Sequence, residues 1–152
     1  MLKGEREIQG LTIDEQGVPI VEGKKGRKER PMQDKANDLE ERLVDFAVRI
    51  IGVVEALPDT KAGNHIAGQL VRSGTSPAPN YGEAQSAESR NDFIHKMKVA
   101  LKELRETLVW LKIIMRKPLC PPERLVPIIQ ENDELISIFV TSVKTAQQNK
   151  EK

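Results

Sequence analysis

Apolar residues recur at intervals of three and four along most of this chain, and this spacing constrains its fold more than any other feature. The repeat is longest in residues 39–57 and 93–115, where it places aliphatic side chains along one side of an α-helix. Prolines follow both stretches, at Pro58 and Pro118. Because proline lacks a backbone N–H and clashes with the preceding helical turn, it ends a helix. The pattern therefore predicts amphipathic helices joined by short connections.

Four helices are predicted, covering residues 34–57, 61–89, 89–117 and 123–147. The second contains Pro77 and Pro79 and must kink or restart there. Ser76 is a candidate cap for the restart, and Ser89 for the third helix. Four helices with short connections are typical of an antiparallel up-down four-helix bundle, so we predict this all-α fold for residues 32–152.

The composition agrees with one small helical domain. A chain of 152 residues suits a single domain, and an aromatic content of 3% indicates a core of aliphatic side chains. No apolar run approaches the roughly 18 residues of a transmembrane helix, and the first twenty residues show no signal-peptide pattern. The single cysteine, Cys120, excludes a disulfide within the chain. We therefore expect a cytoplasmic protein that does not bind membranes.

Residues 1–31, the N-terminal arm, differ from the rest. The arm is rich in glycine, has a candidate turn at 14–19 and has short β-favouring pieces at 11–13 and 18–21, so a weak hairpin and a disordered segment are both open. It ends in a basic run, Lys24 to Arg30, which is typical of a solvated tail or of a nucleic-acid contact. Met32 follows, so the arm is either native or an extension upstream of the true start.

Charge is unevenly distributed along a nearly neutral chain. Lys and Arg number 24 and Asp and Glu 23, but the third helix is strongly basic and the first is acidic. Five cations of the third helix recur at helical spacing, and we name them the basic ridge: Lys98, Lys102, Arg105, Lys112 and Arg116. One interpretation is a solvated face paired with Glu103 and Glu106, or with the acidic first helix of another subunit. The other is a surface that contacts the phosphates of RNA or DNA without sequence specificity.

Six further apolar residues lie off the main apolar stripes of the first and third helices. They are Val44, Val48 and Ile51, and Val99, Trp110 and Ile113. A four-helix bundle needs only one apolar face per helix, so these residues predict burial in a homo-oligomer. A wider contact with the chain's own core is the alternative.

Few residues favour catalysis. The two histidines have no partner at metal-ligand spacing, and no phosphate-binding glycine loop is present, so we expect neither a metal nor a cofactor. Arg90 and His95 resemble the Arg-x4-His element of HEPN-type helical ribonucleases, but residues five apart diverge by about 140° around a helix. One polar cluster lacks a nearby base for serine attack and fits a structural role: Arg72, Ser73, Ser76, Asn80 and Glu83. We therefore expect no catalytic residue, with a ribonuclease as the alternative.

The segment from Gln69 to Glu106 carries the motif QLVRSGTS…N…EA…DF..K…ALKEL.E. It resembles the bacterial four-helix-bundle proteins encoded within intervening sequences of 23S ribosomal RNA genes, with Pro79 standing where that family usually has alanine. The motif positions here are Gln69, Leu70, Arg72, Ser73, Ser76, Asn80, Glu83, Asp92, Phe93, Lys96, Lys102, Glu103 and Glu106.

The resemblance implies a bundle that assembles into a cytoplasmic ring, typically a homopentamer, with no established activity. A related branch serves as the accessory factor of diversity-generating retroelements and binds nucleic acid and a reverse transcriptase. We therefore predict a non-enzymatic, ring-forming bundle whose basic ridge binds RNA or DNA weakly. The alternative is a structural or protein-binding oligomer, with a reverse transcriptase as one partner.

Overall fold

The computed structural model describes residues 6–8, 11–13 and 32–150, and residues 32–150 are all-α. The helices are α1 (Met32–Ala56), α2 (Lys61–Thr75), α3 (Pro77–Gln85), α4 (Arg90–Arg116) and α5 (Pro122–Lys150). These bounds confirm the predicted helices to within a few residues at most ends, with α2 and α3 in place of the predicted second helix. The structure divides into two units, Met1–Asp38 and Leu39–Lys152, and the second contains the core.

The described residues of the N-terminal arm form a short antiparallel hairpin. Strand β1 (Arg6–Ile8) pairs with β2 (Leu11–Ile13), and Glu7 lies opposite Thr12. The strand at 11–13 was predicted, but its partner precedes it in the chain. The candidate turn at 14–19, the candidate strand at 18–21 and the basic run Lys24 to Arg30 lie outside the described residues.

The predicted break in the second helix is present, but Ser76 does not cap the restart. Ser76 has helical angles, φ −71° and ψ −29°, and its side chain makes no capping hydrogen bond. Its N–H donates to the Arg72 carbonyl at 3.2 Å, and its carbonyl accepts from the Asn80 N–H at 3.1 Å. The helical path therefore continues through Ser76, and the break reflects the N–H groups that Pro77 and Pro79 lack.

The N-termini of α2 and α4 are capped by side chains. Thr60 Oγ1 accepts from the Gly63 N–H at 3.0 Å. Ser89 Oγ, as predicted, accepts from the Asp92 N–H at 3.1 Å, and Asp92 Oδ2 accepts from the Glu88 N–H at 3.3 Å. These contacts satisfy N–H groups that a helix start leaves without partners, and they fix where each helix begins.

The core is aliphatic, as the low aromatic content predicted. Two of its aromatic side chains meet between α3 and α5, where the rings of Tyr81 and Phe139 lie edge to face with centroids 5.9 Å apart. The largest fully buried side chains are Phe46, Phe139, Leu43, Ile50, Leu70, Met97, Leu104, Leu111, Ile114, Leu125, Leu135 and Val53. Burial of these side chains supplies most of the free energy that holds the helices together.

Contacts between specific residues fix α1 and α4 against their neighbours. Arg42 of α1 binds Glu131 and Glu134 of α5, with Nη2 2.5 Å and 3.0 Å from the two carboxylates. Between α2 and α4, contacts pair His65 with Trp110 and Ser73 with Thr107. His65 precedes Ser73 in α2, whereas Trp110 follows Thr107 in α4, so the two helices run in opposite directions. Among the described residues, no helix is long and apolar enough to span a membrane.

Candidate nucleic-acid interface

The five residues of the basic ridge are all exposed on α4. Lys98, Arg105 and Lys112 follow one another at intervals of seven and form one line along the helix. Lys102 and Arg116 lie on a second line about 40° away. From Lys98 to Arg116 the ridge extends about 27 Å at 1.5 Å per residue. It is therefore a cationic surface on one side of one helix, interrupted by the exposed Val109.

Within the described part of the chain, no ridge residue forms an ion pair or a side-chain hydrogen bond. The two carboxylates predicted as their partners, Glu103 and Glu106, bind Arg72 of α2 instead. Arg72 Nη1 lies 2.9 Å from Glu103 Oε2, and Nη2 binds Glu106. The ridge residues are therefore exposed without a carboxylate partner among the described residues.

Arg72 joins α2 to α4 through a network of polar side chains. Besides the two glutamates, its Nη2 donates to Gln69 Oε1 at 3.4 Å. Desolvation lowers the pKa of Arg72, but the hydrogen bond and charge of Glu106, together with those of Glu103, outweigh it and leave the pKa raised. Glu103 and Glu106 of α4 therefore bind Arg72 and link the two helices, and Gln69 contacts Arg72 from within α2.

The other residues of the polar cluster differ in their burial and do not share one environment. Ser73 is fully buried, and the Thr107 hydroxyl lies 2.9 Å from Ser73 Oγ and 2.8 Å from the Glu103 carbonyl oxygen. Ser76 Oγ is buried without a partner among the described residues, Asn80 is half-buried and Glu83 is exposed. The cluster does not converge on a single pocket, which agrees with a structural role.

The remaining motif residues organise the start of α4. Asp92 belongs to the cap and also pairs with Lys96, whose Nζ lies 3.5 Å from Asp92 Oδ2. Phe93 is partly buried and packs against the core. All three residues therefore serve the N-terminal turns of α4 and lie before the ridge.

Three buried residues with polar atoms lie outside the predicted site residues. Thr107 occupies a place in the apolar repeat of α4, between Leu104 and Leu111, and this position is the signal that predicts its burial. Asn132 is fully buried, and neither atom of its amide has a partner within the described residues. Burial, with a smaller effect of the Glu40 charge, raises the pKa of Tyr81 to about 12.

The two residues of the ribonuclease alternative lie on the surface of α4. Arg90 and His95 are both exposed, five residues apart on α4. Burial raises the pKa of the Cys120 thiol, with Arg124 opposing and Glu123 adding to the shift, so the reactive thiolate is disfavoured. Among the described residues, no group of three histidine, cysteine or acidic side chains is placed to hold a metal ion.

The apolar residues predicted to form a subunit interface are on the surface, with one difference. Val44, Val48 and Ile51 of α1 are exposed, as are Val99 and Ile113 of α4. Trp110 is half-buried, packs against the core and meets the His65 ring edge at 6.1 Å. Their role in an interface stays a prediction.

Comparison with known proteins gives one family and one fold. The model of the 23S rRNA-intervening sequence protein family matches residues 35–141. A crystal structure of a protein of unknown function from the S23 ribosomal protein family of Bacteroides thetaiotaomicron is 34% identical, with a TM-score of 0.67. The match covers 72% of this chain and 98% of that one. No curated protein matches the chain.

Proposed function

This chain belongs to the 23S rRNA-intervening sequence protein family, and from that premise we propose that it is a non-enzymatic, cytoplasmic, ring-forming bundle that binds RNA or DNA through its basic ridge. The observation that carries the proposal is the ridge itself. Lys98, Lys102, Arg105, Lys112 and Arg116 are exposed and make no ion pair within the described residues, while Arg72 engages the nearest predicted carboxylates.

The chemistry of the ridge favours binding to phosphates over reading of bases. Lysine and arginine contacts to phosphate give affinity and little sequence information. Single-strand binders usually add aromatic side chains on which bases stack, and none of the five ridge residues is aromatic. We therefore expect binding that tolerates sequence changes and weakens steeply with added salt.

Assembly into a ring would raise the affinity for nucleic acid, which one ridge alone binds weakly. A ring presents one ridge per subunit, and several ridges on one nucleic acid bind far more tightly than one. The contacts between α2 and α4 show that these helices run in opposite directions, which supports the proposed up-down bundle. Exposed aliphatic residues on α1 and α4 support the proposed oligomer. From the family resemblance we expect a homopentamer.

The proposal excludes ribonuclease activity at Arg90 and His95. General acid–base catalysis needs two groups that reach the same phosphate, and residues five apart point about 140° away from each other on a helix. Incubation of the protein with the RNA that it binds should leave that RNA intact. Cleavage that is present in the parent and lost in a His95→Ala variant would contradict the non-enzymatic proposal.

Binding to the ridge is tested by charge reversal with a matched control. The test variant carries Lys98→Glu, Lys102→Glu and Arg105→Glu, and its affinity for structured RNA and duplex DNA is measured by gel shift or fluorescence anisotropy. We expect a loss of at least about tenfold, equivalent to about 1.4 kcal/mol, and a similar loss for unrelated sequences.

The control variant reverses three exposed cations away from the ridge, Lys61→Glu, Arg124→Glu and Lys144→Glu. Both variants have the same net charge, so the control separates a local contact from general electrostatic attraction. Equal losses in the two variants, or no binding by the parent protein even at low salt, would overturn the proposal.

A further inference from the structure

We propose that the core of the bundle binds internal water at the break between α2 and α3. The site is built by four side chains, which we name the polar layer: Ser73, Ser76, Thr107 and Asn132. Three of them are the fully buried polar residues of the described part of the chain, and the fourth, Ser76, has a buried hydroxyl oxygen. Buried polar atoms in folded proteins almost always have a hydrogen-bond partner, and water supplies it where protein groups do not.

Asn132 lies at the same level of the bundle as Thr107. Helices α4 and α5 pack against each other and are joined by residues 117–121 alone. Thr107 lies nine residues before the end of α4, and Asn132 lies ten residues after the start of α5. Two packed helices with so short a connection turn back on each other, so residues equally far from the connection lie side by side. The Thr107 hydroxyl in turn lies 2.9 Å from that of Ser73 in α2.

A contact between two rings places Ser76 and Asn132 at a similar level. The ring centroids of Tyr81 in α3 and Phe139 in α5 are 5.9 Å apart. Ser76 precedes Tyr81 by five residues, about 7.5 Å along the helix, and Asn132 precedes Phe139 by seven, about 10.5 Å. Both steps go in the same direction, because α3 continues the path of α2, and α2 and α5 both run opposite to α4. Ser76 and Asn132 therefore differ by only about 3 Å in height along the bundle.

Two hydroxyl groups of the polar layer have already used their protons. Thr107 can donate to the Glu103 carbonyl at 2.8 Å or to Ser73 at 2.9 Å. Ser73 can donate to Thr107 or to the Leu70 carbonyl at 3.5 Å. A hydroxyl carries one proton, so in either arrangement this pair has none left for the rest of the layer and keeps only acceptor lone pairs.

The layer also contains acceptors that need a donor. Pro77 has no N–H, so the carbonyl of Ser73, four residues earlier, receives no helical hydrogen bond from that position. Oδ1 of the fully buried Asn132 has no partner among the described residues. Water donates two hydrogen bonds and accepts two, so it can serve both acceptors while the Ser76 hydroxyl or the Asn132 amide donates to it. All four side chains are uncharged, which suits water better than an ion.

Magnetic relaxation dispersion of the water signal, measured on the full chain, tests the site because it counts water molecules held inside a protein. Asn132→Leu replaces the amide with an apolar side chain of similar size, and we expect it to hold fewer such molecules than the parent. Asn91→Leu is the matched control, because Asn91 is exposed on α4, and it should hold as many as the parent. The same count in all three proteins would overturn the proposal.

A crystal structure of the parent protein gives a result even if Asn132→Leu does not fold. We expect an ordered water within about 3 Å of the Asn132 amide and of a serine hydroxyl or carbonyl of the polar layer. A direct hydrogen bond between Asn132 and another side chain with no water beside it, or a dry void, would overturn the proposal. The site lies inside one chain, so its failure would leave the proposed nucleic-acid binding and assembly untouched.

Discussion

Arg72 influences the surface charge of α4 through the partners that it occupies. Glu106 lies four residues after Lys102, a spacing at which side chains of one helix can meet, yet it binds Arg72 of α2. Arg72 is half exposed, so its ion pairs stabilise the fold only slightly. Its larger effect is to hold Glu103 and Glu106 away from the ridge cations.

The raised pKa of Tyr81 predicts that the fold loses stability at alkaline pH. Burial and the nearby Glu40 raise its pKa from 10.0 to about 12, so the folded chain keeps a proton that the unfolded chain releases above pH 10. The stabilisation is complete below that pH and is lost as the pH rises towards 12, at about 1.4 kcal/mol per unit of pKa difference. The free energy of unfolding should fall between about pH 10 and about pH 12 by more in the parent than in Tyr81→Phe. The same fall in both proteins would contradict the assignment.

Gly74 permits the close approach of α2 to α1. A methyl group at this position would lie 2.6 Å from Ile50 Cγ2, and the β-branched isoleucine cannot easily turn away. Gly74→Ala should lower the free energy of unfolding by about 1–2 kcal/mol, because overpacking outweighs the gain of up to about 1 kcal/mol in helix propensity.

Gly68 in the same helix supplies the control for that prediction. Its Cβ would contact nothing within 4 Å, so Gly68→Ala should raise the free energy of unfolding by about 0.5–1 kcal/mol. Chemical denaturation of both variants measures whether the free energy of unfolding falls in Gly74→Ala and rises in Gly68→Ala. A stabilised Gly74→Ala protein would show that the two helices do not pack closely at this point.

At the scale of an element, α4 presents different chemistry on each side. Its buried side includes Met97, Leu104 and Leu111, another side carries the exposed Val99 and Ile113, and its outer side carries the ridge. One helix therefore supplies core contacts, the proposed subunit surface and the proposed phosphate surface. The 27-residue length of α4 makes this possible, because each side is repeated over several turns.

The cap at Ser89 determines where α4 begins. Ser89→Ala removes the acceptor of the Asp92 N–H and should lower the free energy of unfolding by about 1 kcal/mol. Ser137→Ala is the control, because the Ser137 hydroxyl is exposed in the middle of α5 and donates to the Asp133 carbonyl. Its effect on stability should be within about 0.5 kcal/mol. Equal effects in denaturant unfolding would contradict the role of Ser89 as a cap.

Periodicity and proline positions were sufficient to predict the helices, because both act locally. The sequence also predicted the break at Pro77 and the cap at Ser89, but it was wrong about Ser76. A serine before proline favours a cap, yet the Ser76 N–H and carbonyl groups both keep helical hydrogen bonds. Whether a helix stops at such a residue depends on the packing of both segments, which local patterns do not contain.

On the scale of the whole molecule, near neutrality conceals opposite charges on different helices. The chain has 24 basic and 23 acidic charged residues, but α1 is acidic and α4 is basic. The exposure of the ridge followed from helical spacing. Helical spacing could not predict that Arg72 binds Glu103 and Glu106, which lie more than thirty residues away in sequence. This contact depends on how α2 packs against α4.

The salt dependence of binding tests the central claim, that the ridge contacts phosphates, most directly. The logarithm of the affinity for duplex DNA, plotted against the logarithm of the salt concentration, should have a negative slope of about 0.9 for each phosphate contacted. Neutralising one ridge cation, Arg105→Gln, should make the slope shallower by about that amount for each bound subunit, while Lys144→Gln should leave it unchanged. Binding whose slope is near zero, or is the same in all three proteins, would contradict the claim.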